Sequence, residues 1–131
     1  MQAITFRLRA GQDLFEEIEA VVTQKNIAAG CVLSAAGSLT HARLRFANRE
    51  RFSNIKGHFE IVSLTGTVSV HGSHLHMSIS DEGGKTIGGH FESGCKIYTT
   101  AEMVIAVFED VVYKREFAED SGYEELVVFE R

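Results

Sequence analysis

Six histidines occur in this 131-residue chain, and three of them are spaced to share one ion. His74 and His76 are two apart, so on a β-strand they project from one face, about 7 Å apart at Cα. His90 lies beyond a Gly83-Gly84 turn and directly after Gly88-Gly89. If 74–80 and 87–91 pair as a hairpin, His90 returns beside the first two. Three neutral imidazoles leave the fourth position of a tetrahedral zinc open, the arrangement of catalytic zinc sites. The ion lowers the pKa of bound water toward ~7 or polarises a substrate oxygen. Cys95, five residues later, would instead close the shell and make the site structural. The bland alternative is a solvated strand face, where histidine pairs arise by chance.

Other chemistry has less to build on. There is no Gly-x-Ser-x-Gly and no glycine-rich loop opening a helix. The glycine pairs sit between strands, so a phosphate cradle at a helix N-terminus is not indicated. Cys31 and Cys95 read as reduced, buried thiols. Residues 1–7 alternate apolar and polar and lack the basic start and apolar stretch of a signal peptide, so a cytoplasmic location is expected. No apolar run approaches the roughly 20 residues that span a bilayer, so no membrane role is expected. Net charge is −5. That field repels a phosphate backbone unless a basic patch overcomes it. The candidate patch, Arg43 and Arg45 with Arg49 and Arg51, is small and fits a solvated strand face at least as well, which argues against direct DNA binding.

The elements that must position these residues follow from periodicity. Hydrophobic residues at 44% and charged residues at 24% suit one globular domain. Ile4, Phe6 and Leu8 alternate with polar neighbours and predict a first strand. Asp13 caps a helix, with Glu16 completing a capping box. Leu14, Ile18, Val21 and Val22 form one stripe of that helix, which runs to about Asn26. Residues 31–36 and 39–46 predict two strands joined by a tight turn, with a bend or bulge at Gly37-Ser38. After a polar loop, 58–71 reads as a long β-branched strand. By parity Glu60 falls on its apolar face with Val62, Leu64 and Val68, where a carboxylate needs a partner, a role or a wet strand end. Residues 74–80 and 87–91 flank the turn at Asp81–Gly84. Residues 95–108, 111–117 and 123–129 predict the last strands. Sequential hairpins favour an antiparallel or mixed sheet. The expected fold is therefore α+β: an N-terminal helix on a curved sheet of about eight strands, in a single domain.

Several of these segments, taken in order, resemble the plants-and-prokaryotes-conserved (PPC) domain. They are Gly57-His58-Phe59-Glu60-Ile61-Val62-Ser63-Leu64-Thr65-Gly66-Thr67-Val68-Ser69, His74 to Asp81, Gly88-Gly89-His90-Phe91, Gly94-Cys95 and Tyr98-Thr99-Thr100-Ala101-Glu102. Ser34 to Leu39 and the final strand agree more loosely, so the resemblance spans residues 1–131. It implies a stand-alone PPC domain, a helix over a largely antiparallel sheet, and a homotrimer that binds protein partners. Plant members follow an AT-hook; this sequence has no Arg-Gly-Arg core and no proline. His58 stands where the plant partner-binding motif has arginine. The fold is also similar to that of acetolactate decarboxylase, whose zinc is held by a His-x-His pair and a later histidine, an order that His74, His76 and His90 match. On that likeness Glu60 and Glu102 are candidates to orient metal-bound imidazole or to act as acid and base, and Arg43 to bind a carboxylate substrate. The resulting expectation is a homotrimeric module with a three-histidine zinc site and a regulatory, DNA-associated role. The rival is a small zinc-dependent lyase or hydrolase acting on a small carboxylate.

Overall fold

The computed structural model describes residues 1–131. Its elements are β1 (Gln2–Arg9), α1 (Leu14–Gln24), β2 (Gly30–Arg45), β3 (Ser53–Val68), β4 (His74–Ser80), β5 (Thr86–Phe91), β6 (Lys96–Val107), β7 (Val111–Ala118) and β8 (Tyr123–Glu130). Six strands form one sheet in the order β1-β6-β2-β3-β4-β5, and β7 and β8 form a separate hairpin. Every pairing is antiparallel. The fold is thus mostly β with one short helix, and the expected eight strands divide six and two rather than forming one sheet.

The helix forms as its sequence predicts. Asp13 accepts a hydrogen bond from the Glu16 amide at 3.0 Å, and Leu14, Ile18 and Val22 are fully buried. Phe15 meets Phe91 of β5 edge-on, with ring centroids 6.2 Å apart. These side chains join Leu39, Leu44, Leu75, Ile79, Met103 and Ile105 in one core between the helix and the sheet. The opposite face of the sheet has no helix and exposes Leu33, Val62 and Tyr98. No helix is long and apolar enough to cross a membrane.

Two expectations about strands are corrected. Residues 30–45 are one continuous strand of 16 residues, not two around a turn. Its register slips at Val32/Ser34, Gly37/Leu39 and Leu39/His41, so of the bend or bulge expected at Gly37-Ser38 the bulge is the one that forms. A Cβ at Gly37 would collide with the Thr100 carbonyl, which is why glycine stands there. In β3 the register also slips between Ile61 and Ser63. The slip lets both Ile61 and Leu64 face the core, whereas Glu60 and Val62 face solvent. Strict parity had placed Glu60 and Leu64 on one face.

The bulged β2 reaches three partners. It pairs with β3 and β6, and its last residues also pair with β5, Leu44 opposite Phe91 and Arg45 opposite His90. β2, β3, β4 and β5 therefore close on themselves at this end of the sheet.

Candidate metal centre

On β4, Leu75, Met77 and Ile79 point into the core, which turns His74 and His76 outward. Gly66 of β3 lies opposite Leu75 at φ +140°, and a Cβ there would run into the His74 carbonyl. That conformation is one glycine adopts freely. The turn after β4 is fastened by Asp81 Oδ1, which accepts from the amides of Gly83 and Lys85 at 2.9 Å each. It returns β5 in a register that sets His90 directly opposite His76. Gly89 permits the next contact, since a Cβ on it would stand 2.6 Å from the Arg45 carbonyl. Thus His90 is flanked in the sheet by His76 on one side and Arg45 on the other.

The three imidazoles converge. The Nε2 atoms of His74 and His76 are 3.2 Å apart, and one ring nitrogen from each of the three residues lies within 4.8 Å of the others. Two nitrogens on a tetrahedral zinc, each about 2.05 Å from the ion, are about 3.3 Å apart, so the His74–His76 pair already has ligand spacing. His90 Nε2 lies 2.9 Å from Glu92 Oε2. Its Nδ1 is buried with no hydrogen-bond partner. An orphaned buried ring nitrogen is costly; a cation bound there removes the cost, and with Nε2–H donated to Glu92 the Nδ1 lone pair is free for it. The residues fit a metal ion on this ground.

Electrostatics favour the ligating form. Burial, then the neighbouring His76, His90 and Arg115, hold the His74 pKa below its usual value. Burial, then His90 and Arg45, do the same for His76. Both rings therefore stay neutral, as metal ligation requires.

The cluster opens onto a groove of about 830 Å³. Its walls include Arg45 and the 46–50 loop on one side, and Arg115, Tyr123, Glu124 and Glu125 of the β7–β8 hairpin on another. Arg115 Nη2 donates to Thr67 Oγ1 at 3.0 Å, which ties the hairpin to β3.

The other candidates sit elsewhere. Glu60 is opposite Ser80, four residues along β4 from His76, roughly 13 Å away at 3.3 Å per residue. Glu102 is on β6 opposite Arg7 of β1. The Arg43 guanidinium lies 4.0 Å over the Phe52 ring and donates to the Ser93 carbonyl. None of the three lines the groove. Cys95 does not close the metal shell: it is fully buried, and its thiol meets the backbone of Arg43. Burial pushes its pKa up to about 11, so it remains a protonated core thiol. Cys31 is also a free thiol, but only half-buried. Sequence reasoning passed over Glu92 and Arg115, and weighed Arg45 only as part of a basic patch. Glu92 was the most accessible of these, because it is two residues from His90 and so shares its face in an extended segment.

A family model of the Plants and Prokaryotes Conserved (PCC) domain matches residues 1–109. The β7–β8 hairpin lies beyond those residues. The bifunctional protein GlmU of Synechococcus sp. (strain JA-3-3Ab) is 40% identical over 126 residues, 96% of this chain and 20% of that protein. The chain spans about a fifth of the length of the curated relatives it matches. Among solved structures, a hypothetical protein from Salmonella cholerae-suis is 37% identical with a TM-score of 0.98, over 99% of this chain and 94% of that one. A metal-containing protein from Archaeoglobus fulgidus is 25% identical with a TM-score of 0.79, over 97% and 94%.

Proposed function

The chain belongs to the Plants and Prokaryotes Conserved (PCC) domain family, and from that premise we propose that it is a self-associating, partner-binding module built around a three-histidine zinc centre. The observation that carries this reading is the convergence of His74, His76 and His90 beside the orphaned His90 Nδ1. The metal content of the Archaeoglobus relative supports it. Zinc suits the set because neutral imidazoles in a tetrahedral arrangement are characteristic zinc ligands. When bound, the ion would supply a Lewis-acid centre beside the groove. His74 and His76 hold it from β4, and Glu92 orients His90 from the end of β5.

The module role is supported by the helix-free sheet face. Leu33, Val62 and Tyr98 are exposed there on β2, β3 and β6. A second copy of the chain would cover them, and a closed trimer would leave no such face open. The protein works in the cytoplasm in a regulatory role on this reading. Direct DNA contact is not part of it, because the net charge of −5 opposes a phosphate backbone.

One observation favours an enzyme instead: His74, His76 and His90 line a groove large enough for a small molecule. The second reading is therefore a zinc-dependent lyase or hydrolase acting on a small carboxylate. The test of the centre is metal analysis of the purified protein beside the double variant His74→Ala, His76→Ala. One zinc per chain in the parent and none in the variant is the expected result. Equal zinc in both removes the site.

A further inference from the structure

Two half-buried arginines flank the histidine cluster without a carboxylate partner. Arg45 reaches the groove from β2, beside His90, and Arg115 reaches it from β7, beside His74. Across the chain, ion pairs within 4.0 Å are confined to His58–Glu82 and His90–Glu92. Neither arginine is in one, although Glu92, Glu124 and Glu125 line the same groove. A dication added to this cluster would bring three centres of like charge into a partly desolvated space. That arrangement is unfavourable unless an anion joins it.

We propose that the groove is an oxyanion-binding site, in which a small carboxylate or phosphate occupies the open metal position and is held from opposite sides by Arg45 and Arg115. The proposal rests on the zinc reading above and names the ligand class of that centre. Guanidinium forks match both oxyanions through paired N–H donors, which a lysine ammonium cannot reproduce. The Thr67 hydroxyl uses one Arg115 nitrogen and fixes its direction, leaving its other donors for the ligand. Glu124 and Glu125 stand on β8, the outer strand of the hairpin wall. Together with Glu50 and Glu92 on the same groove they outnumber Arg45, Arg49 and Arg115, so a ligand with a single anionic group is favoured over one with several. Because Arg115 comes from the hairpin beyond the family-matched residues 1–109, this selectivity belongs to the part of the chain that the family pattern does not describe.

Calorimetric titration tests the proposal with acetate and inorganic phosphate as separate probes, on protein whose zinc content has first been measured. Arg45→Gln and Arg115→Gln are each expected to weaken the bound probe about tenfold or more without changing zinc content. Lys114→Gln, at the exposed neighbour whose Nζ lies 5.4 Å from the Phe129 ring, is the control and leaves affinity unchanged. Arg115→Lys retains part of the affinity. Which probe binds identifies the oxyanion. Failure of both probes on zinc-loaded protein, or equal binding by the two Arg→Gln variants, overturns the proposal. Absence of zinc from the parent protein overturns the metal reading instead; arginine-dependent binding of a probe to that metal-free protein would then support the clamp by itself.

Discussion

Glu92→Ala removes the only side-chain hydrogen bond that His90 makes, the 2.9 Å contact between Nε2 and Oε2. In the zinc-bound state this carboxylate fixes the ring so that Nδ1 presents its lone pair. Losing such an outer partner usually weakens metal binding 10- to 100-fold. The Glu92 side chain is 51% exposed, so solvent screens its charge and places the effect at the lower end. We expect about a tenfold loss of zinc affinity, or about 1.4 kcal/mol. Glu92→Gln keeps an acceptor but not the charge and should lose less, about threefold. Competition for zinc against a chelating dye at constant pH measures both. The reasoning fails if Glu92→Ala binds zinc as tightly as the parent. Tighter binding refutes it in an informative way: the carboxylate would then be competing with the metal for Nε2, and Nδ1 would not be the ligand.

Two further outcomes follow from the same geometry. Gly89→Ala puts a methyl group 2.6 Å from the Arg45 carbonyl; the β2–β5 closure must yield, costing about 1–3 kcal/mol in overpacking, and both the urea midpoint and zinc affinity should fall together. The metal-free protein should lose stability in acid. His74 and His76 have folded pKa values below the ordinary 6.5, so the unfolded chain takes up protons first as pH falls. Their contribution is full above about pH 6.5 and is lost as pH drops through the depressed folded values. Urea midpoints from pH 8 to 5 check this, and the His74→Ala, His76→Ala double variant should show a flatter profile.

The histidine cluster was legible where it depends on short-range pattern. Alternation in 74–80 put His74 and His76 on one face, and the Asp81–Gly84 turn returned His90 to them. The fold was legible to the same extent: α1, β4, β5 and the final hairpin follow from capping, period and turn residues. What escaped depends on long-range register. Gly37-Ser38 looks like a turn in sequence, and only the Thr100 carbonyl pressing on Gly37 from β6 shows why the strand passes straight through. Arg43 and Arg45 share a face and a residue type. Arg45 reaches the groove because it lies opposite His90, whereas Arg43, two residues earlier, stacks on Phe52. Nothing local distinguishes them. Glu60 and Glu102 were chosen as carboxylates on strands, and pairing places them opposite Ser80 and Arg7.

The position of the centre follows from the closure of the sheet. β5 would otherwise be an edge strand with one free side, and edges fray readily. Pairing of Leu44 and Arg45 with Phe91 and His90 removes that freedom at the third histidine of the cluster. His90 is then fixed by backbone pairing on both sides, and Phe91 beside it is fully buried. A bound metal would have only side-chain rotations left to order, which would keep its entropic cost small. The arginine opposite His90 comes with the same closure, because any residue that pairs there on the outward face must also look into the groove. The β7–β8 hairpin adds its wall from outside this closed unit, anchored by the Tyr113 amide to the Ala28 carbonyl and by Arg115 to Thr67. Hairpin residues other than the anchoring Tyr113 and Arg115 can therefore vary without disturbing the strands that hold the imidazoles.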